Sequence, residues 1–134
     1  MQARYVLDTS AVLAMRADER GAARVDDLFR GAYAGRTKVF LSFMTRMELL
    51  YRVACDEGQE AADDAIRLLD ATRVEWVSCE PAILQEAARI KSRGKLSVAD
   101  AWIAATAADR DAVLVHKDPE FNSVQHVRQE QLPH

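Results

Sequence analysis

The segment SVADAWIAATAADRDAVLVHKDP, residues 97–119, places a helical pattern directly before a short β-type run. From Ser97 to Asp109 the segment is apolar on nearly every side, which predicts a buried helix. The run from Ala112 to Val115 is short and entirely apolar, which predicts a buried strand. Because a buried helix leading into a buried strand is typical of a β-α-β unit, this segment favours an α/β fold.

The same alternation of helical and strand-like patterns runs through the rest of the chain. Strand patterns cover residues 4–7, 38–42, 74–77 and 112–115, and a fifth strand is predicted over 124–127. Helical patterns cover residues 11–15, 19–34, 44–58, 59–71, 81–94 and 97–109. This order predicts a three-layer α/β/α architecture with a central parallel sheet. Ligands bind such sheets at the carboxyl ends of the strands, so the residues there are the candidates for chemistry.

Length and composition limit the class of protein. The 134 residues are expected to form one domain, 1–134, since a domain has about 150 residues. With only Cys55 and Cys79, a disulfide scaffold is excluded, and both thiols are predicted to lie in the core. No apolar stretch approaches the ~20 residues of a membrane span, and no secretory signal is visible, so we expect a cytoplasmic protein without a membrane partner.

The charge balance argues against binding nucleic acid through overall charge. Eighteen Lys and Arg residues stand against 21 Asp and Glu residues, a net charge of −3. Any bound nucleic acid must therefore contact a local basic patch. One basic run precedes the helix at Ser97 and could either guide a phosphate backbone or complement a helix dipole. It consists of Arg89, Lys91, Arg93 and Lys95.

Four carboxylates lie near predicted helix N-termini, and at least three of them lie at one edge of the predicted sheet. They are Asp8, Glu48, Asp100 and Asp118. Helix capping is one interpretation of each. Thr45 and Ser97 precede Glu48 and Asp100 by the three residues of a capping box, and Asp118 precedes a proline.

Two physical arguments favour a shared site. The helix after Asp100 is apolar on all sides, so this carboxylate is partly desolvated and needs a partner. A cap contributes about 1 kcal/mol, whereas two carboxylates ~4 Å apart repel by about 4 kcal/mol at an effective dielectric constant of 20. If the four acids converge, protons or a cation must neutralise them, and all-oxygen ligands favour Mg²⁺ or Mn²⁺.

Four segments together resemble the PIN-domain family, and within it the small ribonuclease toxins of the VapC type. They are LDTSA at 7–11, MEL at 47–49, LSVADAWIAATA at 96–107 and LVHKDPEF at 114–121. The resemblance implies a metal-dependent endoribonuclease in which Asp8, Glu48, Asp100 and Asp118 surround Mg²⁺ or Mn²⁺. It implies that the Ser10 or Thr9 hydroxyl assists Asp8. It also implies a homodimer, a small antitoxin partner and a structured RNA substrate.

One position departs from this resemblance. The family commonly has Thr or Ser two residues before the last acid, and His116 stands there. We expect a partly exposed imidazole at the strand end, where it could contact substrate. Arg46 and Lys117 flank Glu48 and Asp118 in sequence, so either could contact a substrate phosphate.

Two other functions remain open at this stage. In a non-catalytic interaction module, the four acids would serve only as caps. In a receiver-like or phosphatase-like domain, Asp8 would accept a phosphoryl group. The second alternative is less well matched, because a two-aspartate phosphatase needs an acid at the position of Ser10.

Overall fold

A computed structural model describes residues 2–134 and contains a five-stranded parallel sheet in the order β3-β2-β1-β4-β5. The strands are β1 (Ala3–Leu7), β2 (Thr37–Ser42), β3 (Glu75–Val77), β4 (Val113–His116) and β5 (Gln129–Gln131). The helices are α1 (Thr9–Arg16), α2 (Ala22–Ala34), α3 (Phe43–Glu57), α4 (Gln59–Asp70), α5 (Pro81–Ser92) and α6 (Val98–Asp109). A 3₁₀ helix over Pro119–Ser123 connects β4 to β5.

Alternating strand residues divide the core into two layers. On β1, Val6 packs with α5 and α6, whereas Leu7 packs with α1, α2, α3 and α4. Leu114 and Val115 divide in the same way on β4. Because successive strand residues point to opposite faces, each central strand is buried on both sides. The α/β/α prediction is confirmed.

The predicted fifth strand is wrong in position. Val124 and Val127 are buried, but they lie in the irregular segment between the 3₁₀ helix and the sheet. The observed β5 is the polar segment Gln129–Gln131, which pairs with β4 at the edge of the sheet. The apolar spacing therefore identified burial correctly but not the extended, hydrogen-bonded segment.

Two smaller expectations also change. Cys55 and Cys79 are both exposed, so the prediction that they are core residues is wrong. The second helix begins at Ala22, since Gly21 adopts a left-handed conformation with φ of 96° that interrupts the helix. Among residues 2–134, no helix combines the length and the apolar character required to cross a bilayer.

Candidate metal centre

Asp8 lies where the central strand β1 passes into α1. Its carboxylate oxygen Oδ2 accepts hydrogen bonds from the backbone N–H and the hydroxyl of Ser10, so Asp8 is the N-cap of α1. The other oxygen, Oδ1, is buried and has no hydrogen-bond partner among the described residues. Burial raises the pKa of Asp8 to about 6, because loss of water outweighs the two hydrogen bonds from Ser10.

Glu48 lies one turn into α3, which follows β2. The capping-box interpretation of Thr45 and Glu48 is wrong, because Ser42 is the N-cap and Thr45 lies inside the helix. The hydroxyl of Thr9 donates a 2.6 Å hydrogen bond to Glu48 Oε1 and lies 3.0 Å from the Thr45 hydroxyl. Glu48 therefore faces the end of β1 and is joined to α1 through Thr9.

Asp100 lies in the first turn of α6, where its backbone N–H donates to the Ser97 hydroxyl at 3.1 Å. Its pKa is raised to about 7, mainly by burial. The charges of Asp8, Glu48 and Asp118 add to this rise, in that order. The four acids thus come close enough to influence one another's ionisation, although they are up to 110 residues apart in sequence.

Asp118 and Glu120 belong to one short segment, here called the acidic turn: Asp118 and the 3₁₀ helix Pro119–Ser123. Asp118 Oδ1 accepts a 2.9 Å hydrogen bond from the backbone N–H of Glu120, so the predicted cap is present. One carboxylate oxygen from each of Asp100, Asp118 and Glu120 lies within 4.8 Å of the others. Sequence reasoning missed Glu120; an acid two residues after Asp118 was the available signal.

These donors fit a hard divalent cation. Asp8 Oδ1 is buried without a hydrogen-bond partner among the described residues, which is costly unless a ligand or a proton satisfies it. Mg²⁺ takes oxygen ligands at about 2.1 Å and prefers carboxylates and water. No nitrogen or sulfur side chain belongs to the acidic group found among residues 2–134, so the donor chemistry favours Mg²⁺ or Mn²⁺ over Zn²⁺.

Ser10 ties the ends of two neighbouring strands together. Its hydroxyl donates to Asp8 Oδ2 and accepts a 3.0 Å hydrogen bond from the backbone N–H of Lys117. Asp8 follows β1 and Lys117 follows β4, and these strands pair with each other. This single hydroxyl therefore fixes the segment that leads into Asp118 relative to Asp8.

The structure changes the interpretation of His116. Its side chain is fully buried, so the expectation of a partly exposed imidazole is wrong. Nδ1 accepts a 3.1 Å hydrogen bond from the backbone N–H of Asp118, and Nε2 lies 2.9 Å from Gln129 Oε1. Burial lowers the pKa of His116, which favours the neutral ring. An enclosed ring of this kind cannot contact substrate directly in this conformation.

Arg46 and Lys117 have protein partners. The Arg46 guanidinium lies 2.6 Å from Asp70 Oδ1 and 4.3 Å from the centre of the Trp76 ring. Lys117 Nζ lies 3.3 Å from Glu19 Oε1 and donates a 3.1 Å hydrogen bond to the Arg20 carbonyl. Contact with a substrate phosphate would require either side chain to exchange these partners, and for both it stays a prediction.

The comparisons with known proteins agree with this geometry. The PIN domain family model matches residues 5–127, and the chain therefore belongs to the PIN-domain family. No curated protein shows significant sequence similarity to the chain.

Solved structures share the fold over nearly the whole chain. VapBC2 from Rickettsia felis, bound to a promoter DNA fragment, matches with a TM-score of 0.78 at 16% identity, covering 97% of this chain and 99% of that one. VapC20 from Mycobacterium tuberculosis, a Sarcin-Ricin loop cleaving toxin, has a TM-score of 0.73 at 18% identity, with 96% and 99% covered. VapBC-5 from the same organism, a toxin-antitoxin system, has a TM-score of 0.65 at 21% identity, with 98% and 99% covered. The fold is therefore that of VapC-type toxins.

Proposed function

We propose that the chain is a Mg²⁺- or Mn²⁺-dependent endoribonuclease of the VapC type. The observation that carries this proposal is that carboxylates from four separate segments lie near one another at one partly buried site, where Asp8 Oδ1 is buried without a hydrogen-bond partner among the described residues. Asp8 and Asp118 also act as caps, but capping alone does not require acids from other segments to lie beside them. Here Asp100 lies among like charges that raise its pKa.

The residues that would hold the ion are Asp8, Glu48, Asp100 and Asp118, with Glu120 beside them. Such an ion supplies polarisation of a phosphodiester oxygen and acidification of a bound water. Asp8 Oδ1 and Asp100 are the strongest candidates for direct ligands, because Asp8 Oδ1 is buried without a hydrogen-bond partner among the described residues and Asp100 is desolvated among like charges.

Neighbouring side chains keep these carboxylates in place. Ser10 donates two hydrogen bonds to Asp8 Oδ2, so Oδ1 is the oxygen of Asp8 that is left to bind the ion. Thr9 orients Glu48 in the same way through a 2.6 Å hydrogen bond. The four carboxylates thereby lie near one another, and no cationic side chain of the described residues 2–134 lies among them. This favours hydrolysis by water, since the site needs no side-chain nucleophile.

Cleavage of RNA by purified protein tests the proposal. Wild-type protein with Mg²⁺ should cut structured RNA, and Asp100→Asn should abolish cutting, because the amide keeps the shape but removes the charge. Asp109→Asn is the matched control at the other end of α6, where the exposed carboxylate pairs with Arg110. It should retain activity.

The same variants separate the alternative functions. Isothermal titration with Mn²⁺ should show saturable binding by wild type and by Asp109→Asn, with much weaker binding by Asp100→Asn. Absence of both binding and cleavage in the wild type would favour a non-catalytic module. Equal cleavage by wild type and Asp100→Asn would contradict the assignment of the site.

We also propose an antitoxin partner, a homodimer and, given the RNA substrate, action in the cytoplasm. The structural neighbours include VapBC toxin-antitoxin assemblies, which supports such a partner. An apolar groove of about 350 Å³ beside α1, α2, α3 and α4 offers a surface for it, with Phe29 and the exposed Leu68 in its lining. Co-purification with the product of a short adjacent reading frame, and loss of cleavage in that complex, would test this partner.

A further inference from the structure

We propose that His116 and Gln129 are positioning residues that hold the acidic turn in the geometry required for metal binding. This inference rests on the proposed metal centre and extends it to two residues that do not themselves face the ion. The observation behind it is a continuous hydrogen-bonded chain from the backbone of Asp118 to the far end of the same turn.

The first link fixes the state of the ring. The backbone N–H of Asp118 donates to His116 Nδ1 at 3.1 Å, so Nδ1 must be the unprotonated nitrogen. Nε2 therefore carries the proton and donates to Gln129 Oε1 at 2.9 Å. Both ring nitrogens are used, and a single tautomer satisfies both partners.

The second link returns to the turn. Gln129 Nε2 donates to the carbonyls of Phe121 and Val124, each at 2.8 Å. Because the amide oxygen faces the imidazole, the amide nitrogen must face these carbonyls, and the orientation of Gln129 is fixed. The chain of bonds thus holds the acidic turn at its start, through Asp118, within it, through Phe121, and directly after it, through Val124.

Packing encloses this chain of bonds. The His116 side chain is fully buried, and its ring centre lies 4.9 Å from that of Phe121. Gln129 lies on β5 opposite Leu114 of β4, so the sheet itself fixes its backbone. A buried polar network contributes little net stability over apolar side chains of similar size, but when every group is satisfied it selects one arrangement.

The selected arrangement is the one that brings the acids together. Asp118 Oδ1 accepts a hydrogen bond from the backbone N–H of Glu120, so a bond within the acidic turn stabilises it in addition to the bond to His116. In this conformation Asp118 and Glu120 each place a carboxylate oxygen within 4.8 Å of one from Asp100. Loss of either His116 or Gln129 should let the turn shift away from Asp100.

Mn²⁺ titration of the folded full chain tests the inference without depending on cleavage. His116→Leu and Gln129→Leu should each weaken Mn²⁺ affinity by about 10–100-fold, the range for residues that orient metal ligands. The double variant should be little worse than either single one, because each breaks the same chain of bonds. His116→Asn should recover part of the affinity, since its side-chain oxygen can accept from the N–H two residues on.

Leu132→Ala is the control for a loss of stability alone. Leu132 is buried beside β5, but it belongs to the opposite core layer. This variant should melt at a lower temperature and bind Mn²⁺ like wild type. Equal loss of affinity in Leu132→Ala would show that stability, not positioning, controls the site, and would overturn the inference.

The inference and the proposed function can fail separately. Wild-type affinity in Gln129→Leu would overturn the positioning role while leaving the metal centre intact, even if His116→Leu does not fold. Absence of Mn²⁺ binding in the wild type would instead overturn the metal centre on which the inference rests.

Discussion

At the scale of single residues, the two oxygens of Asp8 have different environments. Oδ2 accepts two hydrogen bonds from Ser10, and Oδ1 is buried without a hydrogen-bond partner among residues 2–134. Capping stabilises the start of α1, whereas the orphaned oxygen destabilises the charged carboxylate. The ionisation of the Asp8 carboxyl group is therefore coupled to the binding of a cation beside Oδ1.

This coupling predicts how the stability of the metal-free protein depends on pH. The pKa of Asp8 is raised from 3.8 to about 6 and that of Asp100 from 3.8 to about 7. These two carboxyl groups therefore hold more protons in the folded than in the unfolded state between about pH 4 and 7, which makes stability fall as pH rises through this range. The lowered pKa of His116 acts in the opposite direction below about pH 6.5, but it is one group against two. The shift of Asp8 corresponds to a loss on the order of 3 kcal/mol.

Thermal melting in EDTA measures this effect. The melting temperature should fall between pH 5 and pH 8, and Mn²⁺ should raise it more at pH 8, where the carboxylates are ionised. The lowered pKa values of Glu80 and Glu86 act only below about pH 4.5, outside this window. An unchanged slope in an Asp8→Asn, Asp100→Asn double variant would contradict the assignment.

Ser10 provides a second test at this scale. Ser10→Ala removes a hydrogen bond to a buried carboxylate and leaves the backbone N–H of Lys117 without its acceptor. We expect a loss of about 1–3 kcal/mol in the free energy of unfolding. The pKa of Asp8 should rise further, so the pH at which half-maximal cleavage is reached should also rise.

The control for Ser10→Ala is Ser92→Ala, an exposed serine whose hydroxyl donates to a carbonyl of its own helix. Denaturant unfolding should place this control within about 0.5 kcal/mol of wild type. A Ser10→Ala protein as stable as Ser92→Ala would show that the bridge between Asp8 and Lys117 is energetically unimportant.

At the scale of elements, apolar periodicity predicted all six helices and four of the five strands, because each of them buries a face. The fifth strand could not be found this way. Gln129–Gln131 is an edge strand whose polar side chains are used for hydrogen bonds and an ion pair, including Glu130 with Arg24. This strand is defined by its backbone pairing with β4, and that pairing cannot be predicted from a pattern of apolar side chains.

The site shows the same division. Asp8, Glu48, Asp100 and Asp118 could be proposed from their positions after strands and at helix starts. For Glu120 the only signal was its spacing from Asp118, and for the burial of His116 there was none, because both depend on the 3₁₀ geometry of the acidic turn and on the position of β5. The spacing of residues along the sequence identifies helix caps. The packing of distant segments determines which other side chains lie beside each capping residue.

The close contact between Gly31 of α2 and Thr37 of β2 predicts how a larger residue at position 31 would change stability. A Cβ atom at Gly31 would lie 2.7 Å from Thr37 Oγ1 and 3.2 Å from its Cγ2. Alanine improves helix propensity by about 1 kcal/mol, but overpacking costs about 1–3 kcal/mol. Thr37 is stiff and donates to the Leu28 carbonyl, so we expect a net loss of stability in Gly31→Ala.

A double-mutant cycle measures this contact by denaturant unfolding. Thr37→Ala removes the two nearest atoms that a Cβ at position 31 would meet, so the double variant should be more stable than Gly31→Ala alone. Additive losses from the two substitutions would show that α2 moves away from β2 to avoid the clash.

At the scale of the whole molecule, basic residues border the acidic centre. A groove of about 390 Å³ is lined by Arg89, Arg93 and His126, and its wall includes Ser123 of the acidic turn. Arg93 and Lys95 are exposed and make no ion pair within the part of the chain that the structure describes. A net charge of −3 is thus compatible with local attraction of a phosphate backbone.

Charge reversal at Arg93, which lines this groove, and at Lys95, two residues further along the chain, should weaken RNA binding. In an inactive Asp100→Asn background, an Arg93→Glu, Lys95→Glu variant should bind RNA less tightly. The slope of log Kd against log salt concentration should fall by about 1–2. Arg36→Glu is the control, since this exposed residue precedes β2 at the amino end of the sheet. Equal weakening by both substitutions would point to a nonspecific charge effect.

The central strand of the sheet, β1, precedes the other four strands of that sheet along the chain. β1 pairs with β2 on one side, but its other partner, β4, begins 106 residues after Leu7, at Val113. A nascent chain on the ribosome therefore holds β1 with one open edge until β4 has emerged. The last acids arrive in the same interval, so a truncated or stalled product would lack both the closed sheet and the assembled pocket.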